Sequence, residues 1–212
     1  MADIRDDIEA LRETMQKRSI LRGEFTLSSG APSSYYYNGK QVIWDPREAK
    51  VIGSILLSAV LQSGAEAVGG LELGAVPIAA AIGRAALDEG RDLPTFTVRN
   101  EKKTHGTRER IAASYAHDGD LIRPGRRVAI VDDVITHGGS IKEAIDAVVD
   151  EGCEVVLVLA LVARHEDGYS KLSREGYPVS RLFYTDENGN LFSDEDFASK
   201  AAGVTPPVGA PA

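Results

Sequence analysis

Cysteine is almost absent from this chain: Cys153 is the only one in 212 residues. A lone thiol rules out an intramolecular disulfide framework, so a hydrophobic core must hold the fold, and a reducing cytoplasm is the expected setting. Positive charge is in deficit, with 24 Lys and Arg against 32 Asp and Glu and a formal net charge of -8. General nucleic-acid binding, which needs a basic face, is therefore not expected. No apolar run reaches the length of a membrane-spanning helix, and no charged segment followed by an apolar one opens the chain. A soluble, cytoplasmic protein is the expectation. No internal repeat and no G-x-x-x-x-G-K-[ST] phosphate loop is found. What remains is 43% hydrophobic and 26% charged, over a length that suits one domain with a substantial core.

The stretch Val128–Ser140 organises the chain. Val128, Ala129, Ile130 and Val131 run into Asp132 and Asp133, and a Thr/Gly/Gly/Ser loop follows. Next, Ile141, Ala144, Ile145, Val148 and Val149 recur at the spacing of one helix face. An unbroken apolar run suits a strand covered on both faces, as in a parallel sheet. The order is strand, loop, helix, with the loop at the carboxyl end of the strand, where open α/β sheets bind ligands. Gly138 and Gly139 permit close backbone approach, and amides at the start of the next helix favour an anion. Thr136 and Ser140 add hydroxyl donors, while the acids accept hydrogen bonds from sugar hydroxyls or approach a ligand-bound Mg²⁺. Phosphate at one end and ribose at the other describe a ribose-5-phosphate site. The plainer alternative is that Ser140 and Glu143 form an S-x-x-E capping box and that the acids are turn residues.

Elsewhere, Asp3 to about Lys17 predicts an amphipathic helix with Ile4, Ile8, Leu11 and Met15 on one face. The segment from Gly23 to Asn38 predicts a hairpin, in which Tyr36 points opposite to Tyr35 and Tyr37. These tyrosines read plainly as apolar bodies with surface hydroxyls, or more sharply as an aromatic face over a planar base. Asp45-Pro46 opens a helix, Ala67–Leu71 is a short buried strand, and Glu72–Pro77 turns into a helix from about Ile78 to Leu87. A strand over Pro94–Arg99 leads into a polar segment, Asn100 to Arg110, that carries Lys102, Lys103, His105, Arg108 and Arg110. That segment is either a solvated face or a mobile cationic lid over pyrophosphate. Glu154–Val162 is a long central strand joined to the Val128 strand by a parallel crossover, and Pro178–Tyr184 is expected as the last strand. The Pro/Gly-rich tail 203–212 is expected to be disordered.

The Val128–Ser140 string resembles the phosphoribosyl-pyrophosphate (PRPP) signature of type I phosphoribosyltransferases. The F-T-L-x-S-G segment at Phe25–Gly30, Tyr35–Tyr37, Gly74–Pro77, the R-x-x-x-K-x-H-G segment from Arg99 to Gly106, and Arg164 resemble the orotate branch of that family. The resemblance runs from about Ile4 to Phe192. It implies an α/β fold with a mostly parallel central sheet flanked by helices, a small N-terminal hood over about residues 1–45, and one domain over 1–202. It also implies transfer of the phosphoribosyl group of PRPP to orotate, giving orotidine 5′-monophosphate and pyrophosphate, with Mg²⁺ held mainly through substrate.

The roles it implies are as follows. Lys103, His105, Asp132 and Asp133 would be catalytic, with the two acids also candidate metal ligands. PRPP would meet Leu73, Gly74, Arg99, Asn100, Lys103 and His105, and then Asp132, Asp133, Val134, Ile135, Thr136, His137, Gly138, Gly139 and Ser140. Orotate would meet Ser28, Tyr36, Tyr37 and Thr136, with its carboxylate on Arg164. A homodimer with shared active sites would follow, Lys103 and His105 reaching into the neighbouring subunit. Asn100 stands where the family commonly has a second lysine, and Ala163 and His165 flank Arg164 where Asp and Gln or Glu are usual. A different base, or a PRPP-sensing regulator without catalysis, are the alternatives.

Overall fold

Apolar residues spaced three and four apart make α1, Ile4–Arg18, which buries Ile8, Leu11 and Met15. The structure, a computed structural model, describes residues 4–26, 32–100, 110–113 and 119–203. Strands β1 (Ile20–Thr26) and β2 (Pro32–Tyr37) pair antiparallel as the expected hairpin, with Ile20 opposite Tyr37. A single turn, α2 (Lys40–Ile43), leads to α3 (Pro46–Ser63). Asp45 caps α3 by accepting from the Arg47 amide, proline sits in its first turn, and Gly64 ends it in the left-handed region at φ 72°.

Strand β3 (Ala67–Leu71) is buried at every residue. Helix α4 (Ala75–Asp88) starts three residues earlier than the expected Ile78, because Gly74 is already helical at φ -61°, ψ -42°. Pro77 then falls within the first turn, where its missing amide costs no helical hydrogen bond. The chain continues through β4 (Thr95–Val98), β5 (Ile111–Ala113), β6 (Arg127–Ile135), α5 (Gly139–Asp150) and β7 (Glu154–Ala163). It ends with α6 (Gly168–Arg174), β8 (Val179–Thr185), β9 (Leu191–Ser193) and α7 (Glu195–Ala201).

One seven-stranded sheet has the order β5-β4-β3-β6-β7-β8-β9. The inner strands are parallel, while β5 and β9 pair antiparallel at the edges. Alternation along β6 feeds both faces. Ala129 and Val131 join the core with α1, α3 and α4, and Val128 and Ile130 join the core with α5. The chain leaves β3 toward β4 and leaves β6 toward β7, so the strand order reverses between β3 and β6. A crevice at the carboxyl ends of these two strands is the switch point at which such sheets hold ligands.

The expectation that Pro178–Tyr184 is the last strand is corrected: β8 turns back through Asp186–Asn190 into β9, and α7 follows. Asp186 holds that turn by accepting from the amides of Asn188 and Asn190. A three-residue strand is too short to show a period, and α6, also unexpected, spans only seven residues.

Helices α3 and α4 cross at Gly53, where an added Cβ would lie 2.4 Å from the Ala81 carbonyl oxygen. Gly53→Ala is therefore expected to destabilise the fold. Overpacking costs about 1–3 kcal/mol, against about 1 kcal/mol gained in helix propensity. A lowered midpoint in chemical denaturation is the expected result; an unchanged or raised midpoint would show that the helices separate without strain.

Candidate active site

The apolar run of β6 carries Asp132 and Asp133 within the strand itself, in register with β7 at Asp132 and Ala160. Asp132 is buried and Asp133 half-buried. The Asp133 amide donates to Asp132 Oδ1 at 2.9 Å, which folds the first carboxylate back along the strand. Both carboxylates converge on the turn after β3: a Cβ built on Gly74 would lie 2.4 Å from Asp133 Oδ1 and 2.9 Å from Asp132 Oδ1. Only glycine leaves this space open.

Burial pushes the Asp132 carboxyl well above the usual carboxylate range, and the neighbouring Asp133 charge adds to it. Asp133 is raised by burial too, against hydrogen bonds from its surroundings and the positive charge of Lys40. A buried pair of acids is short of positive charge and hydroxyl donors, so a ligand that brings both relieves it. Among the described residues no group of three or more His, Cys, Asp or Glu could hold a metal. Two carboxylates fit a hard divalent ion whose other ligands come from substrate oxygens.

On the other side of the pair, the loop Thr136–Ser140 opens α5. Gly138 sits at φ 80° as the N-cap, and no side chain caps the helix. The S-x-x-E box is thus not formed: Ser140 is exposed, and Glu143 instead lies 3.6 Å from Arg110. The first-turn amides, with the helix dipole behind them, remain suited to an anion. The loop is braced from behind by the Arg164 amide, which donates to the Ile135 carbonyl at 2.8 Å, and by the Gly168 amide, which donates to the Thr136 carbonyl at 2.9 Å. His137 is exposed, and its Nδ1 lies 3.3 Å from Asp167 Oδ1. The contact holds the Asp167 carboxyl below its usual range. Val134 is half-buried and Ile135 buried, so these two contribute backbone rather than side chain to the loop's entry.

The turn after β3 exposes Leu73, and Glu72 Oε1 accepts from the Asn100 amide at 3.1 Å. The Arg99 amide donates to the Arg110 carbonyl at 2.9 Å, which closes the base of the basic segment. Arg99 and Asn100 therefore sit at the crevice, beside β3. Lys103 and His105 lie outside the described residues, as does Ser28.

Tyr36 is 46% exposed, whereas Tyr35 and Tyr37 are buried. The alternation holds, but the expected surface hydroxyls are corrected for both buried rings. The Tyr37 hydroxyl is buried without a hydrogen-bond partner among the described residues. Burial, with the charges of Asp133 and Asp132 behind it, raises its pKa well above the usual phenol value. Tyr37 thus faces the acid pair as well as any base. The Tyr35 hydroxyl accepts from Arg164 Nε at 3.2 Å, and lies 3.0 Å from Thr185 Oγ1 and 3.2 Å from His165 Nδ1. Arg164 itself is buried at the end of β7, with its Nη2 3.1 Å from Glu166 Oε1.

Sequence reading gives no role to Lys40, Glu72 or Glu166, and reads Tyr35 only together with its two neighbours. Only Tyr35 carried a signal, since it shares the two-residue period that buries Tyr37.

Residues 45–181 match the model of the phosphoribosyl transferase domain. The orotate phosphoribosyltransferase of Bradyrhizobium diazoefficiens is 37% identical over 177 residues, covering 84% of this chain and 93% of that protein. Among solved structures, the orotate phosphoribosyltransferase of Mycobacterium tuberculosis H37Rv in complex with Fe(III) dicitrate superposes with a TM-score of 0.70 at 33% identity, covering 82% of this chain and 94% of that one. Its complex with PRPP gives a TM-score of 0.67 at 31% identity, with the same coverage. Carboxylates at the switch point, an uncapped helix beyond them, and relatives matched over nearly their full length agree: the chain belongs to the phosphoribosyltransferase family, among the orotate phosphoribosyltransferases.

Proposed function

We propose that this protein transfers the phosphoribosyl group of PRPP to orotate, forming orotidine 5′-monophosphate and releasing pyrophosphate. One observation carries the reading. Asp132 and Asp133 converge between the Gly74 turn and the uncapped start of α5, which suits ribose hydroxyls flanked by a pyrophosphate and a 5-phosphate. The PRPP complex of the M. tuberculosis relative supports it.

In this arrangement the acids accept hydrogen bonds from the ribose hydroxyls, and the loop from Thr136 to Ser140 takes the 5-phosphate. The Leu73–Gly74 turn, Arg99 and Asn100 meet the pyrophosphate, with Lys103 and His105 closing over it. Breaking the bond at C1 builds positive charge on the sugar and negative charge on the leaving group. Asp132 and Asp133 would offset the first, and Arg99 with Lys103 the second. Asp132 and Asp133, together with substrate oxygens, would hold Mg²⁺, which would supply further positive charge for the departing pyrophosphate. A ring nitrogen of the base is the nucleophile, so no covalent enzyme intermediate is required. Orotate lies near Tyr36, Tyr37, Ser28 and Thr136, with its carboxylate on Arg164. Closure of the segment carrying Lys103 excludes water that would hydrolyse the activated sugar. The protein works as a cytoplasmic homodimer in which Lys103 and His105 serve the partner's site.

Pyrophosphate release measured with orotate, uracil, adenine, guanine and hypoxanthine, each with PRPP and Mg²⁺, tests the choice of base. Release with orotate alone is expected. Turnover with another base and none with orotate would move the assignment to that base.

A further inference from the structure

Arg164 cannot aim itself. Its guanidinium is buried, and its ion pair with Glu166 at 3.1 Å lies off the hydrogen-bond direction, leaving Nη2 and Glu166 Oε2 buried with no hydrogen-bond partner among the described residues. What fixes the group is Tyr35. The Arg164 Cζ stands 4.7 Å from the centre of the Tyr35 ring, and Nε donates to the Tyr35 hydroxyl at 3.2 Å. Tyr35 is in turn immobilised. It is completely buried, its hydroxyl meets Thr185 on β8, and its ring fills the space where a Cβ on Gly189 would come within 2.6 Å of it.

We infer that Tyr35 is the positioning residue of the base site, holding Arg164 by Nε so that the plane of its guanidinium is set for an incoming carboxylate. The inference rests on the proposed role of Arg164. The fork of an arginine recognises a carboxylate through two parallel hydrogen bonds, and this requires its plane to be set before the ligand arrives. The hydrogen-bond count of the phenol is consistent with that task. It has one proton and two lone pairs. With a bare His165 Nδ1, it accepts from Arg164 and Thr185 and donates to His165. With a protonated Nδ1, it accepts from Arg164 and His165 and donates to Thr185. Arg164 is held in both cases. Without the hydroxyl, Nε is left without that partner, and the guanidinium is free to turn further toward Glu166, with which it is already paired.

Tyr35→Phe keeps the ring and removes only the hydroxyl. Loss of a hydrogen bond to a charged group is expected to raise the KM for orotate by about tenfold or more. The KM for PRPP should stay within about twofold, because no contact to Asp132, Asp133 or the Thr136–Ser140 loop is lost. A merely structural tyrosine would move both constants together or neither, and either outcome would overturn the inference. If Tyr35→Phe does not fold, Thr185→Val, which frees the phenol on its other side, should shift the orotate KM alone, by about threefold. No shift there would count equally against the inference. Arg164→Gln separates the two levels. An unchanged orotate KM in that variant would overturn the base-site reading itself. A raised KM in Arg164→Gln alongside a normal one in Tyr35→Phe would overturn only the role of Tyr35.

Discussion

Asp133→Asn is expected to lower kcat/KM for PRPP by ~10²-fold or more, since the charged hydrogen bonds proposed for it to the ribose hydroxyls would be worth about 1.5–3 kcal/mol each. Asp132→Asn should act in the same direction, and it should also make the free protein more heat-stable at neutral pH. The sign follows from the raised carboxyl. Below its ordinary value of 3.8, Asp132 is protonated in both folded and unfolded chains. Above that value the unfolded chain releases the proton first, so folding stability falls as pH rises until the folded group ionises as well. Asparagine removes that loss. The melting temperature of Asp132→Asn should therefore exceed that of the parent protein at pH 7, and the gap should narrow as the pH is lowered toward 3.8. A variant that is inactive but also less stable at pH 7 would show that the acid supports the fold rather than the substrate. Such opposition of stability and activity is expected where a site holds charge that only its ligand relieves.

Lys103→Ala is expected to lower kcat by ~10²-fold, the scale of a lost charge contact made in the transition state. Because the contact forms as pyrophosphate departs, the effect should fall on kcat more than on the KM for orotate. A loss under about threefold in a folded variant would remove Lys103 from the catalytic account. The prediction draws on the R-x-x-x-K-x-H-G spacing and on the position of Arg99 and Arg110, whose backbone hydrogen bond brings the ends of the segment together at the crevice.

How far the sequence could be read depended on the range of the interactions. The β6–α5 unit was legible because everything that makes it is local: an apolar run, two acids, then glycine and an amphipathic helix. The parallel crossover to β7 followed from the same run. The capping box at Ser140, the plainer alternative, does not form, since Gly138 in the left-handed region serves as N-cap without a side-chain bond. Tyr35 and Tyr37 did mislead. Period two gave their face, but whether a buried hydroxyl finds a partner depends on Arg164 and Thr185, more than 120 residues away. That information is absent from any local window. Likewise nothing in the segment around Gly74 announces that Asp132 and Asp133 lean on it. Their convergence follows from β3 and β6 being neighbours in the sheet. Short elements such as β9 and α6 escape because a few residues cannot display a period.

Phosphoribosyl transfer to orotate can be followed by the ultraviolet absorbance of orotate in the presence of PRPP, Mg²⁺ and the protein. Rapid loss of orotate absorbance is expected, and it should stop when either PRPP or Mg²⁺ is withheld. Tight PRPP binding with unchanged absorbance, under conditions where the protein is folded, would contradict transfer to orotate.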